Sequence, residues 1–313
     1  MRIINPYEDL TSMQSYKASF HNHTMSRGRI TAAPYVAAGI YRLCGINIVA
    51  ITDHDRRLGP DEDQVSWCEE EWQHSYEDLL LIHGFEASFP ADHVNVLGCW
   101  PHDVPLTPEM PGFVETAHKE GAFSILNHPA KWNATPDHVT DDPNLSRCKA
   151  IEIYNGARLG RGKDRALATP LWDACLSHGL KIWAVAGSDC HRYDFSIPGN
   201  PNNGWNVLWL PELTVQEVFN ALAVGRFYAS SGLEIDEVSM RNESLYVRAS
   251  KAACMRFIGN DGVTLKETQG TEASYTPQNT GYIRVELDGQ DPPFPGADTP
   301  MQAWLQPIWV EEM

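Results

Sequence analysis

Basic residues are scarce in this sequence. Lys and Arg total 24 against 41 Asp and Glu, a formal net charge of −17. A surface this negative argues against general nucleic-acid binding, which relies on positive charge to neutralise phosphates. It still leaves room for a local basic pocket, or for bound cations that offset part of the charge. Long apolar runs are also missing. No stretch approaches the roughly 18 residues that a membrane-spanning helix needs, and the opening MRIINPYEDLTSM has no apolar signal-peptide core. The expected setting is therefore the cytoplasm, without membrane contact. Cysteine is sparse as well: seven residues, at 44, 68, 99, 148, 175, 190 and 254, with no CxxC pair. That pattern excludes a disulfide framework and a cysteine-based zinc knuckle. Internal repeats and low-complexity tracts are absent, and nothing in the composition fixes an oligomeric state.

What is present is enough apolar matter for a core. The 313 residues are 42% hydrophobic, 10% aromatic and 21% charged, a globular composition. Through about residue 225, short apolar runs alternate with helix-like segments. The runs are Lys17–His23, Ile46–Thr52, Asp78–Gly84, His93–Cys99, Ala122–Leu126, Ala150–Tyr154, Ile182–Gly187 and Asn206–Leu210. INIVAIT is apolar almost throughout, as befits a strand buried on both faces. Between the runs lie helix candidates at Ala33–Leu43, Asp61–His74, Pro108–Glu120, Lys163–His178 and Thr214–Ala223, with Gly121 and Gly179 placed to end two of them. Alternation of this kind implies parallel β/α units, and seven or eight of them predict a barrel. Beyond about Gly232 the pattern shifts to short alternating strands with turn-forming separators, read as a small antiparallel, sandwich-like β unit. The expected organisation is an α/β barrel domain over 1–230 and a β domain over 231–313.

Histidine carries the chemical signal. His21 and His23 sit two apart at a strand end, so both imidazoles can face one ion. Further metal-competent groups follow other apolar runs: Thr52-Asp53-His54-Asp55, Gly84-Phe85-Glu86, Asn127-His128-Pro129, Glu152 to Asn155, and Gly187-Ser188-Asp189-Cys190-His191. Strand carboxyl ends are where barrel enzymes build their sites. A single histidine in that position is usually an ordinary surface residue; six such endings form a pattern. The other histidines (74, 83, 102, 118, 138 and 178) lack motif context.

In order, HNHT, ITDHD, GFEAS, DHVNVLG, LNHPA, IEIYNG and GSDCH resemble the motif series of the PHP (polymerase and histidinol phosphatase) family, over about residues 17–225. The resemblance implies a distorted (β/α)₇ barrel of the TIM-like type, related to amidohydrolases, holding two or three divalent metals and hydrolysing phosphate esters. The C-terminal strands are similar to a small β domain appended to some members. Carried over residue by residue, the resemblance implies that His21, His23, Glu86 and Asp189 hold one ion, that Glu86 bridges to a second completed by His93 and His128, and that His54 and His191 hold a third. Mixed imidazole and carboxylate shells suit Zn, Mn or Fe better than Mg or Ca. One departure stands out. The family usually has an Asp where this chain has Arg27, within HNHTMSRG. A guanidinium cannot ligate a cation and repels one. Three arrangements remain open: a weak third metal, a binuclear site with Arg27 contacting substrate phosphate, or Arg27 turned to solvent.

A basic group stands out against the acidic background. Arg158, Arg161, Lys163 and Arg165 follow the sixth strand, and Lys131 lies three residues after His128. Guanidinium forks match phosphate or carboxylate oxygens. Arg27, Lys131, Asn155, Arg158 and Arg161 are the candidate substrate contacts; Trp132 and Trp100 are candidates for an apolar wall or for core. The mechanism implied by the resemblance uses a hydroxide shared by two metals, generated at neutral pH and attacking phosphorus. Glu86 and Asp189 hold the ions, and Asp53 serves either as the acid or as an orienting carboxylate. The expected activity is a metal-dependent phosphoesterase acting on a small phosphorylated molecule. The alternatives are an amidohydrolase-type amide or ester hydrolase and a metal-stabilised binding module without turnover.

Overall fold

A computed structural model describes residues 2–26, 29–55, 76, 78–89, 91–278, 281–293 and 296–312. The expected helix at Asp61–His74 and the site candidate Arg27 lie outside the described residues. The chain opens with β1 (Arg2–Ile4) and β2 (Gln14–Ser19), then the antiparallel pair β3 (Met25–Ser26) and β4 (Arg29–Ile30). Helix α1 (Pro34–Leu43) leads into β5 (Ile48–Ile51), β6 (Leu80–Ser88) and β7 (His93–Leu97). After α2 (Phe113–Lys119) come β8 (Phe123–Asn127), α3 (Pro129–Trp132), α4 (Pro136–Asp141) and β9 (Ala150–Asn155). Helices α5 (Gly156–Leu159), α6 (Lys163–Ala166) and α7 (Thr169–Ser177) precede β10 (Trp183–Gly187) and β11 (Trp205–Leu210), and α8 (Val215–Val224) leads to β12 (Phe227–Ser230).

Local chemistry explains these elements. Every residue of β5, β8 and β9 is buried, which is why their sequences are mostly apolar on both faces rather than alternating, the exceptions being polar groups such as Asn127 and Glu152 that find buried partners. Helix α1 starts on Pro34, whose missing N–H costs nothing there, and buries Ala37, Ala38 and Tyr41 on one face. The Thr214 hydroxyl accepts a bond from the Glu217 N–H at 3.3 Å at the start of α8, and Gly225 at φ 73° ends it. The segment Lys163–His178, read from sequence as one helix, is two. Ala168 takes a non-helical conformation before Pro170, and Leu167 makes a β-bridge to Tyr154. The helix expected from Pro108 starts only at Phe113, because Gly112 enters it at φ 87°.

The strands of this region run in the order β12-β11-β2-β5-β6-β7-β8-β9-β10. β2, β5 and β6 are parallel neighbours, as are β8, β9 and β10. β7 is antiparallel to both β6 and β8, so the expected run of purely parallel units is interrupted by a hairpin. The barrel expectation also needs correction: among the described residues, backbone pairing does not close the sheet into a ring. β10 is left with a free edge, which buried side-chain amides cover instead. Asn206 on β11 accepts from Ala186 N at 3.0 Å and donates to Ala186 O at 2.9 Å. Gln306 does the same for Ala184, at 2.8 and 2.7 Å. Each amide imitates a strand's donor and acceptor, satisfying groups that would be costly to bury unpaired.

The C-terminal strands are β13 (Glu237–Arg241), β14 (Ser244–Arg248), β15 (Ala252–Ile258), β16 (Thr264–Gln269), β17 (Glu272–Tyr275), β18 (Gly281–Gly289), β19 (Gln302–Leu305) and β20 (Ile308–Glu311). β13, β14 and β17 form a separate antiparallel sheet, while β15, β16, β18, β19 and β20 continue the large sheet through the β12–β19 pairing. β20 also pairs with β1, so the two ends of the described chain lie side by side. One core cluster joins Tyr41 of α1 to Val285 and Leu305. A buried ion pair ties α7 to β18, with the Arg284 guanidinium donating to both Asp173 oxygens at 2.7 Å. No described helix is long and apolar enough to cross a membrane.

Candidate metal centre

The site lies where the strands of the first region end. His21 and His23 follow β2 and are both buried, as their spacing of two predicts. Asn22 between them faces the other way. Its side-chain oxygen accepts from the hydroxyls of Ser19, Ser188 and Tyr41, and its amide donates to the carbonyls of Ser19 and Ala50. Backbone bonds continue this lacing: His23 N to Cys190 O at 2.8 Å, Asp189 N to His21 O at 3.1 Å, and Glu86 N to Asp53 O at 3.0 Å. Because β7 runs antiparallel, its first residue stands at the end where its parallel neighbours finish. His93 therefore sits opposite Ser88 and Asn127 in register.

Glu86 occupies the middle. Its Oε1 is 2.8 Å from His93 Nδ1, 3.1 Å from His128 Nε2 and 3.4 Å from His21 Nε2. Its Oε2 is 3.0 Å from His54 Nδ1 and 3.4 Å from His23 Nε2. Asp189 Oδ1 faces the other side, 3.5 Å from His21 Nε2, 3.4 Å from His23 Nε2 and 3.3 Å from His191 Nδ1. The His23 and His191 rings stack at 4.0 Å. The structure thus gathers His21, His23, His54, Glu86, His93, His128, Asp189 and His191 in one place. Among the described residues, four overlapping sets of three offer ligand atoms all within 4.8 Å: His21, His23 and Glu86; His54, Glu86 and His93; His21, His128 and Asp189; and His23, His54 and His191.

Two features of this cluster fit divalent cations. His21 Nε2, His23 Nε2, Glu86 Oε2 and Asp189 Oδ1 are buried and, among the described residues, lack any hydrogen-bond partner. Such groups are costly to bury unless something else satisfies them. The electrostatics also favour positive charge. Burial pushes the Glu86 and Asp189 carboxyls up, but the surrounding imidazoles outweigh it and hold both well below the usual carboxylate range. His21 is raised against its burial by Glu152, Asp189 and Glu86, and His23 is raised to about 9 against its burial by the neighbouring carboxylates of Asp189, Asp53 and Glu86. At the rim the balance reverses. Burial is the main cause that pulls His54 down to about 3 and His191 to about 4, leaving neutral imidazoles able to ligate.

Around the cluster stands a ring of polar groups that hold it. Asp53 Oδ1 accepts from the backbone N–H of Thr24 at 3.0 Å and of Met25 at 3.1 Å, and its Oδ2 takes the Thr24 hydroxyl. Its remaining reach is to His23 Nδ1, at 3.7 Å. Asn127 donates to Glu86 Oε1 at 2.9 Å and to Asn95 Oδ1 at 2.8 Å. Asn155 donates to Asp189 Oδ2 at 3.3 Å, while its own oxygen caps α5 by accepting from Arg158 N at 3.1 Å. Glu152, almost wholly buried, accepts from His21 Nδ1, from the His128 backbone N–H and from Asn155. Sequence reasoning placed Glu152 at a strand end without giving it a role. The available signal was a carboxylate inside the apolar run AIEIYN, where an unpaired acid could not be buried.

The expected substrate contacts are distributed unevenly. Arg158 reaches inward, its Nη2 3.5 Å from Asp189 Oδ2, with a buried Nε that has no partner among the described residues. Lys131 is half-buried over the Trp132 ring at 3.9 Å. Burial and then the neighbouring charge of Arg158 lower its ammonium to about 8. Arg161 is exposed, yet close enough for its charge to act on Lys131. Trp132 stands beside the site, 5.6 Å from the His93 ring. Trp100 stacks on His83, away from the strand ends that carry the site. His118 bonds Ser124 and His138 bonds Asp92, each in an ordinary structural contact.

No protein-family model matches the chain, and no curated protein matches it in sequence. Solved structures do match. A two-domain protein from Bacteroides vulgatus, described as containing a predicted PHP-like metal-dependent phosphoesterase, superposes with a TM-score of 0.53, covering 95% of this chain and 96% of its own at 18% identity. Endonuclease Q, in complex with a 27-mer duplex bearing an abasic lesion, covers 67% of this chain and 56% of its own at 15% identity, with a TM-score of 0.48. An amidohydrolase from Chromobacterium violaceum covers 58% of this chain at 13% identity, with a TM-score of 0.40. The expectation of no general nucleic-acid binding is corrected here, because Endonuclease Q, one of these neighbours, holds a DNA duplex. Net charge averages over the whole molecule and does not describe the mouth of the site, where Lys131, Arg158 and Arg161 gather. In its fold, the chain is like the two-domain Bacteroides vulgatus protein described as containing a predicted PHP-like metal-dependent phosphoesterase.

Proposed function

We propose that the protein is a metal-dependent phosphoesterase that hydrolyses a small phosphorylated molecule. The observation that carries this reading is the cluster of buried ligand atoms from His21, His23, Glu86 and Asp189, without hydrogen-bond partners among the described residues, in which each of the two imidazole Nε2 atoms lies 3.4–3.5 Å from a Glu86 and from an Asp189 oxygen. His21, His23, Glu86 and Asp189 would hold a first divalent ion; Glu86, His93 and His128 a second; His54 and His191 are suited to a third. Bound there, Zn, Mn or Fe ions supply Lewis acidity and make water nucleophilic at neutral pH.

The protein's own groups do the rest. Arg158 and Lys131 bind the non-bridging phosphate oxygens, and Arg161 extends the positive field at the mouth. Asn155 fixes both the Asp189 carboxylate and the first turn of α5, and so sets where Arg158 points. Asp53 orients His23, since its oxygens already accept from Thr24 and Met25. Trp132 walls one side of the site and limits water. A cationic mouth over the cluster favours an anionic phosphate over a neutral amide, which separates this reading from amidohydrolase chemistry.

The test is a substrate panel with protein loaded with Zn, Mn or Fe: small phosphomonoesters, cyclic phosphodiesters, DNA with an abasic site, and amides. Metal-dependent turnover of small phosphate esters, weakened in Arg158→Gln mainly through KM, is the expected result. Turnover of amides alone, or of phosphate esters equally well after metal removal, would overturn the proposal.

A further inference from the structure

We infer that Glu152 is a positioning residue which sets the proton on His21 and holds His128 in place, so that both offer lone pairs to the centre. The inference rests on the metal reading above. Glu152 is not itself among the residues that converge on the centre. It lies one layer out and is 1% exposed. Its Oε1 is 2.8 Å from His21 Nδ1. An ionised carboxylate only accepts, so the imidazole must donate there, and a neutral ring then keeps its lone pair on Nε2. That Nε2 is the atom facing Glu86 at 3.4 Å and Asp189 at 3.5 Å.

The other oxygen acts on the backbone. Glu152 Oε2 accepts from the His128 N–H at 2.7 Å and from Asn155 Nδ2 at 2.9 Å. His128 sits at φ 32°, a left-handed conformation that a residue with a Cβ adopts only when its surroundings enforce it. Pro129 follows directly, so the next residue provides no N–H to help fix this turn. The charge-assisted bond that Glu152 accepts is therefore, with the Lys131 N–H on the His128 carbonyl at 2.9 Å, a local restraint that aims His128 inward. One side chain thus governs ligand-bearing segments after β2 and β8, and through Asn155 it reaches Asp189 as well.

Gly187 fits the same reading. A Cβ at position 187 would lie 2.1 Å from Glu152 Oε1 and 3.0 Å from His21 Cβ. Its φ is not in the left-handed region, since it is absent from the positive-φ residues. The glycine is thus required by closeness to the Glu152–His21 pair rather than by backbone conformation.

The test compares wild type with the near-isosteric Glu152→Gln, using zinc affinity by competition and proton-detected NMR of the histidine rings. Expected are a folded variant, zinc affinity lowered by roughly 10- to 100-fold, and upfield shifts of the His21 Nδ1–H and the His128 backbone N–H. Unchanged affinity with both protons unmoved would overturn the inference. Should the variant not fold, the wild-type spectrum decides: a His21 ring with no hydrogen-bonded proton on Nδ1 overturns it. Should the wild type bind no zinc, the metal reading fails, and the two proton shifts in the metal-free proteins still decide the role of Glu152.

Discussion

Glu86 stands within 3.4 Å of five imidazoles, those of His21, His23, His54, His93 and His128. An uncharged side chain there would deprive all five rings of the negative charge they share. Lys131 offers a residue-scale test of the cationic mouth. Its ammonium is charged below about 8 and neutral above, so phosphate affinity should hold through pH 7 and weaken as pH rises past that value. The expected result is a KM for a phosphomonoester that climbs above pH 8 in wild type, and a KM already high and flatter in Lys131→Gln. A wild-type KM that stays level to pH 9.5 would contradict this use of Lys131. Much of this neighbourhood was legible in the sequence, because every ligand group but His93 follows or ends an apolar run and parallel strands finish at one end. Glu152 and Asn127 were harder to read. An acid or amide within a buried strand declares that it has a partner without saying which.

At the scale of elements, strand direction decides what the site contains. β7 alternates His93 and Asn95 on one face with Val94 and Val96 on the other, a pattern that fits either direction. Read as another parallel strand, it would carry His93 to the far end; run antiparallel, it delivers His93 beside Asn127. The seam beside β10 was equally hidden, since an Asn and a Gln in strand-like sequence look like surface residues. The structure buries both as substitutes for strand pairing. Asn206→Leu should leave the Ala186 N–H and C=O unpaired, at about 1–3 kcal/mol for each orphaned group. Urea denaturation should give a lower midpoint with little change in slope. An unchanged midpoint would mean that the seam does not depend on the amide.

Across the whole molecule, the change of texture near Gly232 led us to expect a boundary at residues 230 and 231, and we retain it as a proposal. The large sheet nevertheless continues across that point through β12 and β19, and β1 pairs with β20. A chain ending at Ser230 would expose the β12 edge, uncover the Tyr41 side of α1 and remove Gln306 from β10. Loss of solubility is the expected result. A monomeric, cooperatively melting 1–230 fragment with wild-type metal content would show that the C-terminal strands only lean on the first region.

The central claim is that the buried cluster around Glu86 exists to hold divalent metal. Elemental analysis after equilibrium dialysis against Zn or Mn tests it most directly, on wild type and Glu86→Gln side by side. The account predicts at least two ions per wild-type chain, as Glu86 faces ligand sets on both sides. It predicts loss of most of that content in Glu86→Gln, with at least ~100-fold loss of any hydrolysis. A wild-type protein that is folded yet retains no stoichiometric metal, or a variant with full content and full turnover, would contradict it.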